Sequence, residues 1–170
     1  AWTCTAVLRN REWNDPVAFY RSTVIRTRYA FRSNNNLGVE YFRQKNFEEA
    51  ERFFNASLAI NPGYAPALNN MGAIRQRRGE LQAAERSFRL AVDSDPYYIV
   101  AYHNLAGMYL DTQRIEEAVI LLTRLLNVFP YDKTGQRMMR EAQALRANVV
   151  PAGVKLPSFR LRSGDLPINR

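Results

Sequence analysis

Apolar positions through the middle of the chain fall at helical spacing, in short runs separated by polar breaks. Leu37, Tyr41 and Phe42 share one face. Gln44-Lys45-Asn46 interrupts it, and Phe47, Ala50, Phe54, Ser57 and Leu58 then mark a second face. The arrangement returns with a step of 34 residues: Pro62, Pro96 and Pro130; Ala50, Ala84 and Ala118; Leu37, Met71 and Leu105; Gly38, Gly72 and Ala106; Phe54, Phe88 and Leu122; Leu58, Val92 and Leu126. These columns predict three helix-turn-helix units, at 31–64, 65–98 and 99–132. The Gly and Ala columns mark places where two helices approach too closely for a large side chain. Each proline ends a second helix, because it cannot continue the hydrogen-bond ladder. A two-helix unit cannot bury its apolar face alone, so the units are predicted to stack into an all-α solenoid.

The register continues beyond both ends. One step earlier, Trp13, Tyr20, Thr23 and Val24 fall on the columns of Phe47, Phe54, Ser57 and Leu58, and Asn14-Asp15-Pro16 supplies a capping side chain and an early proline. Residues 1–30 therefore read as a degenerate, truncated repeat. Downstream, Asp132 can cap a last helix over 133–147, with Met138, Ala142 and Leu145 facing the third unit and Arg137, Arg140 and Glu141 facing water. Pro151, Gly153, Pro157, Gly164 and Pro167 interrupt any later helix, so 148–170 reads as an extended or disordered basic tail.

These columns resemble the tetratricopeptide repeat family. The first unit matches its pattern with Asn34, Leu37, Gly38, Tyr41, Ala50, Phe54 and Pro62, the second with Leu68, Met71, Gly72, Arg75, Ala84, Phe88 and Pro96, and the third with Tyr102, Leu105, Ala106, Tyr109, Ala118, Leu122 and Pro130. The family's tryptophan is absent from all three, and Arg75 stands in place of its second tyrosine. The resemblance implies a right-handed solenoid with a C-terminal capping helix. It also implies a concave groove lined by the first helix of each unit, with Arg32, Val39, Phe42 and Arg43, then Ala73, Gln76 and Arg77, then Gly107, Leu110 and Asp111 on its floor. The family's carboxylate clamp needs a lysine where Asn35 stands and an asparagine where Val39 stands, which argues against a receptor for chaperone C-termini.

Asparagines follow the same period. Asn36, Asn70 and Asn104 precede the Leu/Met column, and Asn35, Asn69 and His103 precede them in turn. A row of carboxamides on the groove wall can pair twice with each backbone amide of an extended peptide, giving sequence-tolerant binding. Tetratricopeptide domains of some glycosyltransferases hold peptides in this way. In other repeats an asparagine here supports helix packing, and both readings stay open.

Composition and charge narrow the function classes. The chain has 170 residues, 46% apolar, and one cysteine, Cys4, so there is no disulfide framework and there is enough apolar content for a core. Its most apolar stretch, Ala118 to Phe129, is too short to span a bilayer and carries Arg124. The net charge of +8 divides unevenly: residues 1–30 carry +3, 31–132 carry −1 and 133–170 carry +6. The repeats are neutral and the basicity lies at the ends. Lys155, Arg160 and Arg162 alternate with apolar residues in the tail, a pattern that suits lipid head groups or a partner groove; three such charges argue against nucleic acid.

Catalysis has little support. His103 is the only histidine, and the pairs Glu48/Glu49 and Glu116/Glu117 sit in the first turn of a second helix, where the helix dipole favours acids. Asn55-Ala56-Ser57 matches a glycosylation sequon, but Ser57 occupies a packing column, so no glycan is expected. No metal, cofactor or phosphate-binding loop is expected. Arg75, Arg77 and Arg78 end a first helix and read as a solvated cationic face, with Arg77 also able to meet an acidic peptide residue.

The N-terminal flank adds a second resemblance. Arg9-Asn10, Trp13, Asp15, Tyr20 and Asn35-Asn36-Leu37-Gly38 are similar to the start of the repeat region in membrane proteins that join a multipass glycosyltransferase-like domain to tetratricopeptide repeats, the transmembrane O-mannosyltransferases among them. The absence of an initiator Met and the apolar stub Ala1 to Leu8 fit a piece of a longer, membrane-associated protein. The resemblance implies a repeat domain in the periplasm or lumen, whereas Arg9 and Arg11 at a membrane exit favour the cytoplasmic side. Two function classes follow: a module binding a protein or extended peptide in its groove, or an assembly subunit using its repeat ends and basic tail. Oligomeric state is not legible.

Overall fold

The computed structural model describes residues 16, 17, 20 and 30–149. Its helices are α1 (Ala30–Arg43), α2 (Phe47–Ile60), α3 (Ala65–Arg77), α4 (Leu81–Ser94), α5 (Ile99–Asp111), α6 (Ile115–Val128) and α7 (Lys133–Val149), and no strand occurs among the described residues. Pro16, Val17 and Tyr20 are helical, and Val17 and Tyr20 pack against the core of the first helix pair. The other predicted N-terminal positions, Cys4, Trp13, Asn14, Asp15, Thr23 and Val24, lie outside the described residues, as does the chain beyond Val149. The last helix runs two residues past the expected 147.

Helix pairs form where the 34-residue columns place them. Gly38 and Gly72 let a phenyl ring lie against the opposing helix: a Cβ on Gly38 would sit 2.6 Å from Phe54 Cε1, and one on Gly72 2.5 Å from Phe88 Cε1. Phe54 and Phe88 are fully enclosed, each worth about 1.5–3 kcal/mol of burial. In the third pair Ala106 and Leu122 fill the same two places, both buried. The turns between paired helices share one conformation: Lys45, Gly79 and Gln113, again 34 residues apart, have φ of 62°, 79° and 59°. Asn46 caps α2 by accepting from the Glu49 amide at 3.3 Å, and Asp132 Oδ2 accepts from the Gly135 amide at 2.8 Å to open α7.

The curvature follows from which helices touch. The backbones of the first helices approach across units (α1 with α3, α3 with α5, α5 with α7), whereas those of the second helices α2, α4 and α6 stay apart, with only long side chains such as Arg124 and Asp93 reaching between α6 and α4. The first helices therefore form the short inner wall of the stack, and their exposed side chains line a concave face. Two buried clusters underlie it, one around Leu37, Phe54, Met71 and Ile74, the other around Phe88, Tyr102, Leu105, Leu122 and Leu125. Met138 and Ala142 of α7 close the second cluster, with Leu145 packed against it, while Arg137, Arg140 and Glu141 face solvent. Glu85 of α4 ties the second and third pairs together, accepting from Arg114 at 2.6 Å and from the Tyr109 hydroxyl at 3.2 Å.

Candidate functional site

The asparagines on the inner wall bond to each other between units. Asn70 donates to Asn35 Oδ1 at 3.0 Å, and Asn104 donates to Asn69 Oδ1 at 2.8 Å. Asn35 and Asn69 are buried, 5% and 4% exposed, so they join α1 to α3 and α3 to α5 and are closed to a ligand. Asn36, Asn70 and Asn104 are half-exposed. A carboxamide offers two N–H donors and a carbonyl oxygen. Asn70 and Asn104 each use one donor on the preceding unit, which holds the rest of the amide in a fixed orientation on the wall. The single-residue offset that buries one asparagine and presents the next was not legible from spacing, because neighbouring positions in a repeat share the same period.

His103 does not join this row. Its Nε2–H donates to Asp132 Oδ2 at 2.6 Å, linking α5 to the start of α7. Burial works against charge on Asp132, but the hydrogen bond from His103 and the α7 backbone amides outweigh it, and its carboxyl lies below the usual carboxylate range. Asp132 thus both caps α7 and anchors it to α5, the second role being invisible in sequence. Leu110 is also not a groove residue, since it is 7% exposed and belongs to the second core cluster. Val39 and Ala73 are half-buried and give the wall a small apolar floor. Arg43 is exposed and pairs with Glu40 at 3.3 Å.

The arginine run does not form one solvated face. Arg75 turns inward and donates to Ser87 Oγ, filling the space that Tyr41 and Tyr109 fill in the other units. Arg78 pairs with Glu51 at 2.6 Å. Arg77 lies over the rings of Phe42 and Phe47, its guanidinium carbon 5.2 and 5.5 Å from their centroids, and those rings meet edge to face at 5.3 Å. Three arginines within four residues therefore have three different partners, because a helix turns each successive side chain by about 100°.

A separate cleft of about 320 Å³ opens between the second helices α4 and α6, over α5. Its charges are satisfied within the chain, Arg124 by Asp93 at 3.4 Å and Arg89 by Glu85 at 2.8 Å, so it offers less free chemistry than the inner wall. No group of three or more His, Cys, Asp or Glu able to hold a metal occurs among the described residues.

Residues 29–96 and 99–132 match models of the tetratricopeptide repeat, together more than half of the chain. The chain belongs to the tetratricopeptide repeat family. Solved structures of tetratricopeptide domains share its fold. The first such domain of Spaghetti (RPAP3), bound to the HSP90 peptide SRMEEVD, superposes with a TM-score of 0.62 at 22% identity, covering 69% of this chain and 95% of that one. The first domain of human RPAP3, determined by NMR, gives 0.61 at 22% identity, covering 69% and 93%. The Sgt2 domain from Aspergillus fumigatus gives 0.61 at 18% identity, covering 78% and 89%. No curated protein matches the chain. On the first helices of this tetratricopeptide domain, Asn36, Asn70, Asn104, Val39, Ala73 and Phe42 are half-exposed, and Arg77 is exposed.

Proposed function

We propose that this tetratricopeptide domain is a binding module that holds an extended segment of a partner protein along its inner wall. The carrying observation is the row of half-exposed carboxamides at Asn36, Asn70 and Asn104, two of them oriented by inter-repeat hydrogen bonds. Such a row can pair with a peptide backbone with little regard to side chains. The Spaghetti domain of the same fold was solved with a bound peptide, which supports the reading. The test is peptide binding, by anisotropy against a pool of random extended peptides, of wild type and Asn36→Ala. Asn36 makes no inter-repeat bond among the described residues, so its removal is expected to leave the stack intact. Binding weakened about tenfold, with unchanged melting, supports the ladder. Equal binding by both proteins, or none, transfers the function to assembly through repeat ends.

The assembly reading gains less from the structure, because residues 133–147 of the capping helix expose charge rather than a large apolar patch. We further propose a membrane-embedded parent, with the domain on its extracytoplasmic side. The similarity of residues 9–38 to a membrane glycosyltransferase junction supports that reading. No described helix is long and apolar enough to cross a membrane. Fractionation of the full-length protein checks this, and recovery wholly outside the membrane fraction refutes it.

A further inference from the structure

The first helices α1, α3 and α5 end at the same repeat position, on Arg43, Arg77 and Asp111. The three residues differ in what they do. Arg43 is engaged by Glu40. Arg77 has no carboxylate partner among the described residues; the phenyl rings of Phe42 and Phe47 hold it instead. A cation resting on aromatic rings still has its N–H donors pointing outward in the guanidinium plane, free for an anion. Its orientation is already fixed, so binding an anion costs little side-chain freedom. Asp111 breaks a local rule. A carboxylate at a helix C-terminus is disfavoured by the dipole that suits Arg43 and Arg77 in the same place. It is exposed, and no cation among the described residues compensates it. A charge placed against its local preference, without a partner in the chain, points to a partner outside it.

Given the groove reading above, on which this inference rests, we propose that the inner wall selects an extended peptide carrying an acidic side chain against Arg77 and a basic side chain against Asp111. Adjacent packed helices lie about 8–10 Å apart, and an extended chain advances about 3.3 Å per residue, so the two charges are separated by about three residues. The carboxamides would hold the backbone, and the two end charges would choose among sequences.

The test uses four pools of peptides, blocked at both ends, with uncharged random residues at all positions but two. Those two positions, three residues apart, hold one acid and one base, two acids, two bases, or no charge. Wild type should bind the acid-and-base pool about tenfold more tightly than the uncharged pool. Arg77→Glu should prefer the two-base pool, and Asp111→Arg the two-acid pool; both remain folded, with Arg77→Glu melting slightly lower because it loses the contact with the Phe42 and Phe47 rings and Asp111→Arg slightly higher because a cation suits the helix C-terminus. If every pool binds and the ranking is the same in all three proteins, the charge-reading proposal is overturned while the groove stands. If no pool binds wild type, the groove reading itself fails and this inference falls with it.

Discussion

The close approach of α3 and α4 at Gly72 allows a sharp test of how the repeat is packed. In Gly72→Ala the new Cβ would lie 2.5, 2.6 and 2.9 Å from Phe88 Cε1, Cδ1 and Cζ, whereas carbons pack comfortably at about 3.5–4.0 Å. Phe88 is 0% exposed and has no room to swing, so the helices must separate by about 1 Å. Overpacking of this kind costs about 1–3 kcal/mol. Alanine's better helix propensity returns about 1 kcal/mol. The net expectation is a loss of up to about 2 kcal/mol in a urea melt followed by far-UV circular dichroism. The third repeat shows the compensated pair, with Ala106 against Leu122 and both fully packed. Phe88→Leu alone should leave a cavity costing about 1–2 kcal/mol. The double variant Gly72→Ala/Phe88→Leu should return to within about 1 kcal/mol of wild type, a coupling of about 1–2 kcal/mol. Strict additivity, or stabilisation by Gly72→Ala alone, would refute the claim that ring and glycine are matched by sterics.

Three further outcomes are expected. At the left-handed turn positions, Gln113→Gly and Lys45→Gly should each raise stability by about 0.5–1 kcal/mol; Gly79→Ala should lower it by a similar amount, because nothing lies within 4 Å of an added Cβ and only backbone strain acts. Thermal melts of the three variants decide this. Asp132 has a folded pKa below its usual value, so its contribution is complete above the unfolded value of about 4 and is lost as pH falls through the folded one. Asp132→Asn keeps a capping oxygen but loses the charge that strengthens the His103 and backbone hydrogen bonds, so it should cost up to about 1 kcal/mol near neutral pH and flatten the acid limb of the stability profile. The Tyr102 hydroxyl is enclosed without a hydrogen-bond partner among the described residues, so Tyr102→Phe should leave stability unchanged or raise it by up to about 1 kcal/mol in the same melts.

Much of the architecture was legible along the chain because a repeat states each packing requirement several times. The Gly and Phe columns, the prolines and the acids in the first turn of α2 and α6 each reflect a local constraint that spacing alone expresses. The Asp132 cap was legible for the same reason, since a cap acts within three residues. Partners distant in sequence were not. Periodicity marks Asn35, Asn36, Asn69 and Asn70 alike, and only the stacking of α1, α3 and α5 makes Asn35 and Asn69 buried acceptors and leaves Asn36 open. His103 looked like one more member of the row until α7 brought Asp132 within 2.6 Å. Leu110 had the spacing of a groove residue, but the third pair and α7 enclose it. The arginine run looked like one patch, whereas helical rotation gives Arg75 to Ser87, Arg78 to Glu51 and Arg77 to two phenyl rings. The period, the helices and the faces that must be buried are written in the order of residues, since these depend on neighbours a few positions away. Which polar groups are consumed in holding repeats together, and which stay exposed, emerges from the packing of the helices, because hydrogen bonds and ion pairs depend on distances between elements that spacing does not encode.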